Sequence, residues 1–134
     1  MSTLDRVMSR YLKKTNAQAS IGDVAKKMLD VGVGALLVER DGELFGMVTE
    51  GDIVQKVIAE GKDCATTRVE DIMEHHLNTI RLSNTLQETL DEMGKLGVRH
   101  LVVQHEGKTV GIVTLRDILE YLGWLYEQRA AKDS

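Results

Sequence analysis

The sequence predicts an α+β protein built from two β-α-β-β-α repeats. Three observations lead to this fold class. The chain resembles itself at an offset of 65 residues. Each copy contains an amphipathic helix that follows a serine or threonine, and each copy then has two apolar segments of strand length separated by a tight turn. The length of 134 residues matches one ordinary domain.

The duplication covers most of the chain. Between residues 7–57 and 72–122, 13 of 51 aligned pairs are identical without a gap, and the shared glycines are Gly32/Gly97, Gly42/Gly107 and Gly46/Gly111. We therefore expect a first repeat at 1–64, a second repeat at 65–122 and a helical extension at 123–134. One repeat of about 50 residues is too small to bury a stable core alone. The two repeats are expected to be related by a pseudo-two-fold and to form one compact module.

Each repeat opens with a short strand and a capped helix. The strands are expected at 13–17 and 78–82. Ser20 and Thr85 precede the helices, each with an acidic residue three positions later, as in a capping box. Gly32 and Gly97 then stand where a left-handed residue would end each helix.

A hairpin and a second helix complete each repeat. The segments ALLVER and HLVVQH are apolar runs of strand length, and the return strands are LFGMVT and TVGIVT. The sequences DGE and EGK between them are typical of tight hairpin turns. The second helices are expected at 50–60 and 115–128.

The composition excludes several classes of protein. The 17 basic and 21 acidic residues give a net charge of −4, which argues against a nucleic-acid partner. The lone cysteine, Cys64, cannot form an internal disulfide. No apolar run approaches the roughly 18 residues of a membrane span, and the N-terminus has no signal core. We expect a cytoplasmic protein with no membrane partner.

The candidate functional motif is Gly-hydrophobic-Val-Thr-x-x-Asp, which occurs at 46–52 and at 111–117. A strand that ends at Thr, followed by a helix, would present free N–H groups and a hydroxyl to an anion such as phosphate. The carboxylate could hold the vicinal hydroxyls of a ribose, and the glycine would let a ligand approach the backbone. The spacing Thr-x-x-Asp is also that of a helix cap, which by itself is the more common explanation.

Order and spacing in both copies resemble the CBS domain family, the tandem repeats named for cystathionine β-synthase. The resemblance rests on D-I-M at 71–73, on G-V-G-A-L-L-V and G-V-R-H-L-V-V, and on two copies of G-h-V-T-x-x-D-I. It covers residues 5–122 and implies a Bateman module whose clefts between the repeats bind AMP, ADP, ATP, NAD or S-adenosylmethionine. It further implies a non-catalytic regulatory sensor without a required cofactor. Such a sensor would form a homodimer and pass ligand occupancy to an unidentified effector protein.

The resemblance also implies residue roles. The motif aspartate would hold ribose and the threonine phosphate, which gives the pairs Asp52 with Thr49 and Asp117 with Thr114. The adenine would lie against the other repeat. The implied walls are Leu12, Lys13, Gly34 and Ala35 for the Asp117 cleft, and Leu77, Asn78, Arg99 and His100 for the Asp52 cleft.

The two clefts are not expected to be equivalent. Arg116 precedes Asp117, whereas Gly51 precedes Asp52. The small Gly34–Ala35 pair would leave room for adenine beside Asp117. Arg99 with His100 would crowd the other cleft or add positive charge there. Asp117 is therefore the expected main site, with a second, weaker site at Asp52.

Other functions have less support. The four histidines, among them the pair His75–His76, lack a recognised metal-ligand spacing, so no metal site is expected. A nucleotide hydrolase would need a base or metal beside the phosphates, and no catalytic residue is predicted. A structural or interaction module whose motifs are only helix caps remains the alternative. The Trp124–Tyr126 patch is either a helix contact over the module or a dimer contact.

Overall fold

The computed structural model describes residues 2–133. The first half contains α1 (Thr3–Val7), β1 (Lys14–Asn16), α2 (Ile21–Val31), β2 (Ala35–Arg40), β3 (Glu43–Thr49) and α3 (Glu50–Ile53). The second half contains β4 (Thr79–Arg81), α4 (Leu86–Leu96), β5 (His100–His105), β6 (Lys108–Thr114) and α5 (Leu115–Asp133). A π-helical turn (Val54–Ile58) and a 3-10 turn (Val69–Asp71) lie between the halves.

The strands form two three-stranded sheets, in the orders β1-β2-β3 and β4-β5-β6. In each sheet the first pair is parallel and the second is antiparallel. Both hairpins have a register shift at the same repeat position, after Val38 in one sheet and after Val103 in the other. The predicted α+β class, with the element order β-α-β-β-α in both copies, is confirmed.

The caps of α2 and α4 are as the sequence predicts. The Ser20 hydroxyl accepts the Asp23 N–H at 3.1 Å. Thr85 and Glu88 form a reciprocal capping box, with distances of 3.0 and 2.8 Å. Gly32 and Gly97 end the helices with φ of 75° and 67°, a conformation that suits glycine because it has no Cβ. The start and the end of each helix are thus encoded locally.

Both hairpin turns have two consecutive residues with positive φ. Asp41 and Gly42 have φ of 52° and 81°, and Glu106 and Gly107 have 52° and 77°. Two positive φ values in a two-residue loop match the right-handed twist of the flanking strands. The two-residue turns therefore set the pairing register of each hairpin, and the register fixes where β3 and β6 end.

The second helices differ from the expectation and from each other. Helix α3 has four residues and continues as the π-helical turn, in which the Ala59 N–H bonds the Val54 carbonyl at 2.9 Å. Helix α5 instead runs without interruption to Asp133, past the expected end at 128. The duplication therefore keeps the strand-to-helix junction but not the helix that follows it.

The chain packs as two compact units. The first-repeat unit is Lys13–Leu77, and the second-repeat unit combines the segment up to Leu12 with the chain from Asn78 onward. The N-terminal segment thus packs with the second repeat, and the segment before β4 packs with the first. The division at 64 describes the duplication in the sequence and stays a prediction.

Each unit has its own aliphatic core. In the first-repeat unit the core residues are Ala17, Ile21, Val24, Met28, Leu36, Val38, Val48, Val57, Val69, Ile72 and Met73. In the second-repeat unit they are Leu4, Met8, Ile80, Met93, Leu101, Val103, Val113 and Ile118. Among residues 2–133, no helix is long and apolar enough to cross a membrane.

Candidate functional site

The two copies of the motif lie at matching junctions, where a strand ends and a helix begins. Thr49 is the last residue of β3, and Thr114 is the last residue of β6. The positions of these threonines follow from the hairpins, because the two-residue turns and the strand register fix where β3 and β6 end. The motif aspartates follow in the first turn of α3 and α5.

In the first-repeat unit, Thr49 and Asp52 form a complete capping box. The Thr49 N–H donates to Asp52 Oδ2 at 3.0 Å, and the Asp52 N–H donates to Thr49 Oγ1 at 3.1 Å. Asp52 is only 8% exposed. Its other carboxylate oxygen, Oδ1, lies 3.2 Å from the ammonium of Lys56. Both oxygens of this carboxylate therefore already have partners within the chain.

In the second-repeat unit, Thr114 and Asp117 repeat the capping geometry. The Thr114 N–H donates to Asp117 Oδ2 at 3.2 Å, and the Asp117 N–H donates to Thr114 Oγ1 at 3.0 Å. Asp117 is partly buried. Within residues 2–133, Thr114 is the only partner of its side chain, so Oδ1 remains available to a hydrogen-bond donor.

Lys56 is the residue that makes the two motifs different. Its ammonium contacts Glu74 Oε1 at 2.7 Å and the Ile72 carbonyl at 3.0 Å as well as Asp52. Burial opposes the charged lysine, but the hydrogen bonds and negative charges of Glu74 and Asp52 outweigh it and raise the pKa of Lys56. The hydrogen bond and the charge of Lys56 lower the pKa of Glu74. Both shifts favour the charged forms of the pair.

The free N–H groups expected at the helix starts are largely used within each unit. The Leu115 N–H bonds the Arg99 carbonyl at 2.9 Å, and the Glu50 N–H bonds the Gly34 carbonyl at 3.0 Å. Since the Asp117 N–H bonds Thr114, two of the first three N–H groups of α5 have partners. The helix start is therefore a weaker anion site than the sequence suggests.

The motif glycines serve the packing of the chain itself, which corrects the expectation that they admit a ligand. A Cβ at Gly46 would lie 2.4 Å from the Glu74 carbonyl oxygen, and one at Gly111 would lie 2.7 Å from that of Ser9. Glu74 and Ser9 each form a β-bridge with the residue after the glycine. The space beside the glycines is thus occupied by the segments that precede β4 and β1.

Arg116 and the predicted wall residues range from exposed to buried. Arg116 is exposed and pairs with Glu120 at 3.2 Å, so its guanidinium is on the helix surface. Ala35 is buried at 7%, and a Cβ at Gly34 would lie 2.8 Å from the Glu50 carboxylate. Arg99 is exposed, and the other wall residues, Leu12, Lys13, Leu77, Asn78 and His100, are partly buried. The predicted wall residues come from both units, and the walls and their adenine contacts stay predictions.

No group of three or more metal-ligating side chains occurs in the described part of the chain. His75 instead packs edge-on against Phe45, with ring centroids 5.6 Å apart. His105 lies 3.7 Å from the carboxylate of the adjacent Glu106.

Sequence reasoning missed Lys56 and Glu74. The spacing Asp-x-x-x-Lys, one helical turn apart, was visible in the first copy, and the offset of 65 residues aligns Lys56 with Tyr121. No local signal pointed to Glu74, because it reaches the site from the segment before β4.

A family model described as "CBS domain" matches the chain twice, over residues 4–59 and 69–123. The chain belongs to the CBS domain family. A CBS-family assignment agrees with the motifs, which fall at the same junction in both matched regions.

Known proteins are similar over most of the chain. An uncharacterised protein of Methanopyrus kandleri is 36% identical over 101 residues, which is 73% of this chain and 51% of that protein. The chain spans about half the length of several curated relatives it matches. A putative signal-transduction protein with CBS domains from Burkholderia ambifaria is 30% identical, with a TM-score of 0.81 over 84% of this chain and 83% of that one. A hexameric CBS-CP12 protein from bloom-forming cyanobacteria is 27% identical, with a TM-score of 0.78 over 87% and 65% of the two chains.

Proposed function

We propose that this chain is a non-catalytic regulatory module that binds an adenosine-containing ligand through Asp117. The observation that carries the proposal is the state of the Asp117 carboxylate. The Thr114 N–H holds Oδ2 at 3.2 Å, and Oδ1 has no partner within residues 2–133. A carboxylate that is already fixed in place can accept hydrogen bonds from the ribose hydroxyls without an added ordering cost.

Two neighbouring groups suit the phosphate of such a ligand. Thr114 Oγ1 accepts the Asp117 N–H, so its own hydrogen is available to donate to a phosphate oxygen. Arg116 is exposed and paired with Glu120 only through a surface ion pair. Such pairs contribute about 0–1 kcal/mol, so the guanidinium can exchange its partner for phosphate at little cost.

The regulatory role has support from a relative. The Burkholderia ambifaria protein is described as a putative signal-transduction protein. We propose that ligand occupancy in this chain is passed to a separate effector protein and that no cofactor is required. AMP, ADP, ATP, NAD and S-adenosylmethionine all present the same ribose and adenine, so each is a candidate ligand.

We also propose that the module forms a homodimer through α5. Four large apolar side chains on this helix are 40–76% exposed, namely Leu119, Leu122, Trp124 and Tyr126. Three of them, Leu119, Leu122 and Tyr126, share one helix face by their spacing of three and four residues, and exposed apolar faces of this kind mark interaction surfaces. The hexameric CBS-CP12 protein supports self-association for this fold. Size-exclusion chromatography with light scattering should give a dimer mass, and Leu122→Glu should shift it to the monomer mass.

A second candidate function is that of an interaction module whose motifs are only helix caps. The observation in its favour is that both motifs make the same two hydrogen bonds as Thr85 and Glu88 in α4. That third capping box was not predicted to bind any ligand. Geometry at Thr114 and Asp117 is therefore sufficient for a cap without a ligand.

A thermal-melt panel with the five adenosine ligands tests the first proposal against the second. A ligand at about 100 times its dissociation constant adds about 2.7 kcal/mol of stability, which raises Tm by several degrees. Asp117→Ala should lower the affinity about 10- to 150-fold, the equivalent of about 1.5–3 kcal/mol for hydrogen bonds to a charged group. Glu88→Ala is the matched control, since it removes an equivalent cap and should keep the ligand response. No response to any ligand would favour the cap-only function.

A further inference from the structure

The ammonium of Lys56 is enclosed by three oxygen atoms of the first-repeat unit. It lies 2.7 Å from Glu74 Oε1, 3.0 Å from the Ile72 carbonyl oxygen and 3.2 Å from Asp52 Oδ1. A protonated lysine has three N–H donors and no acceptor. Two of these contacts, to Glu74 and Ile72, are hydrogen bonds, and they hold the ammonium in an ion pair with the Asp52 carboxylate.

This arrangement occupies the atoms that a ribose would need at Asp52. Oδ2 accepts the Thr49 N–H at 3.0 Å, and Oδ1 faces Lys56. A ribose hydroxyl would compete with the ammonium for Oδ1. The ammonium adds the attraction of a full positive charge to its contact with the carboxylate, which a neutral hydroxyl does not, so the competition favours Lys56. Asp52 is also 8% exposed, which leaves little surface for a second approach.

The second-repeat unit has the same backbone frame without either charged partner. At the offset of 65 residues, Tyr121 corresponds to Lys56, and Ser9 corresponds to Glu74. Ser9 bridges to Ile112 just as Glu74 bridges to Met47. Both substitutions remove charge at equivalent positions. Within residues 2–133, Asp117 accordingly forms no salt bridge, and the adjacent Arg116 pairs with Glu120 instead.

We propose that the Lys56–Glu74 pair closes Asp52 to ribose, so that each chain binds one adenosine-containing ligand, at Asp117. The inference rests on the proposed function and adds what limits the number of ligands. Lys56 is then a specificity-determining residue. Its ammonium takes the place at Asp52 that a ribose hydroxyl would need. Glu74 is a positioning residue that holds the ammonium there.

Isothermal titration calorimetry with AMP, and separately with ATP, tests the number of sites. The wild-type chain should bind one ligand, and Asp117→Ala should bind none. Lys56→Met keeps the length of the side chain but removes the ammonium, and it should bind two ligands. Combining Lys56→Met with Asp117→Ala should leave one. Lys56→Arg, the charge-preserving control, should still bind one.

The reciprocal exchange transfers the charged pair to the second-repeat unit. Tyr121→Lys combined with Ser9→Glu should weaken binding at Asp117 at least tenfold. Tyr121→Met combined with Ser9→Gln provides the matched control of similar size without charge, and its affinity should stay within about threefold of wild type. Equal loss in both double variants would mean that bulk, not charge, closes the site, and would overturn the proposal.

The outcomes separate this inference from the proposed function. Two ligands bound by the wild type, or one ligand bound by both the wild type and Lys56→Met, would overturn the closed Asp52 site and leave adenosine binding established. One ligand bound by Lys56→Met and none by the wild type would support the closing role of Lys56 and contradict the assignment of Asp117. Absence of AMP and ATP binding in every variant, with melting temperatures showing that all are folded, would overturn both.

Discussion

Replacing Gly46 by alanine should destabilise the protein strongly, although alanine normally stabilises a strand relative to glycine. The added Cβ would lie 2.4 Å from the Glu74 carbonyl oxygen and 3.0 Å from the sulfur of Met73. The first of these atoms belongs to the backbone and cannot rotate away. Either the overlap persists or the segment around Glu74 must retreat from β3.

The cost can be estimated from what that retreat removes. Met47 and Glu74 exchange two backbone hydrogen bonds, of 3.0 and 2.9 Å. Each is worth about 0.5–1.5 kcal/mol net, so their loss costs about 1–3 kcal/mol. Overpacking of a tight site has a similar cost of about 1–3 kcal/mol if the segment stays. The gain from removing a strand glycine is only about 0.5–1 kcal/mol. With mid-range values of about 2 kcal/mol lost and about 0.7 kcal/mol regained, the expected net destabilisation by Gly46→Ala is about 1 kcal/mol.

Urea unfolding at equilibrium measures this difference directly, and Gly94→Ala is the matched control. Nothing lies within 4 Å of a Cβ at Gly94, which is in the last turn of α4. Alanine there should stabilise the protein by up to about 0.8–1 kcal/mol, the difference found in a helix interior. The same chemical change should thus have opposite signs at the two sites. Equal or increased stability of Gly46→Ala would refute the argument that this glycine exists to seat the Glu74 segment.

Three further predictions test other contacts. The pKa of Glu74 is below the ordinary 4.5, so the stability that this residue contributes with Lys56 is present above pH 4.5 and is lost as the pH falls through the lowered pKa. Glu74→Gln should therefore reduce the free energy of unfolding at pH 7 by less than about 1 kcal/mol and should not change it in acid. Urea unfolding at a series of pH values measures both. A Cβ at Gly34 would lie 2.8 Å from the flexible carboxylate of Glu50, so the Tm of unliganded Gly34→Arg should stay within a few degrees of wild type. The rise in Tm caused by ligand should be lost in this variant if adenine lies there. Gly32→Ala, at φ 75°, should cost about 1–2 kcal/mol in the same unfolding assay.

The elements that the sequence predicts correctly are those encoded by neighbouring residues. The cap at Thr85, the left-handed ends at Gly32 and Gly97, and the turns at Asp41 and Glu106 each depend on a few consecutive side chains. The helix after β3 was expected over 50–60, and there the sequence was insufficient, because the α-helix ends at Ile53. Its π-helical turn is not marked by proline or glycine within Val54–Ile58.

In the candidate site, too, the contacts between neighbouring residues were predictable and the long-range contact was not. The pairs Thr49–Asp52 and Thr114–Asp117 are local, and the structure brings each together as the spacing predicts. The partner that distinguishes the two aspartates depends on Glu74, which is distant in sequence from Asp52 and enters through the β-bridge to Met47. A pattern of neighbouring residues cannot report a contact that is created only when two segments pack.

The same bridge links the glycines, the duplication and the charged pair. Each unit is closed by a segment that precedes the first strand of the other repeat, and each segment seats on a glycine of a returning strand. Because Glu74 and Ser9 occupy equivalent places in that contact, and Lys56 and Tyr121 equivalent places in the chain, two differences change the electrostatics beside a motif while both bridges are kept. A duplicated module can in this way keep two matching strand-to-helix junctions while its two aspartates have different side-chain partners. The residue after Met8 or Met73, which lies outside the motif, therefore affects the charge near the motif aspartate.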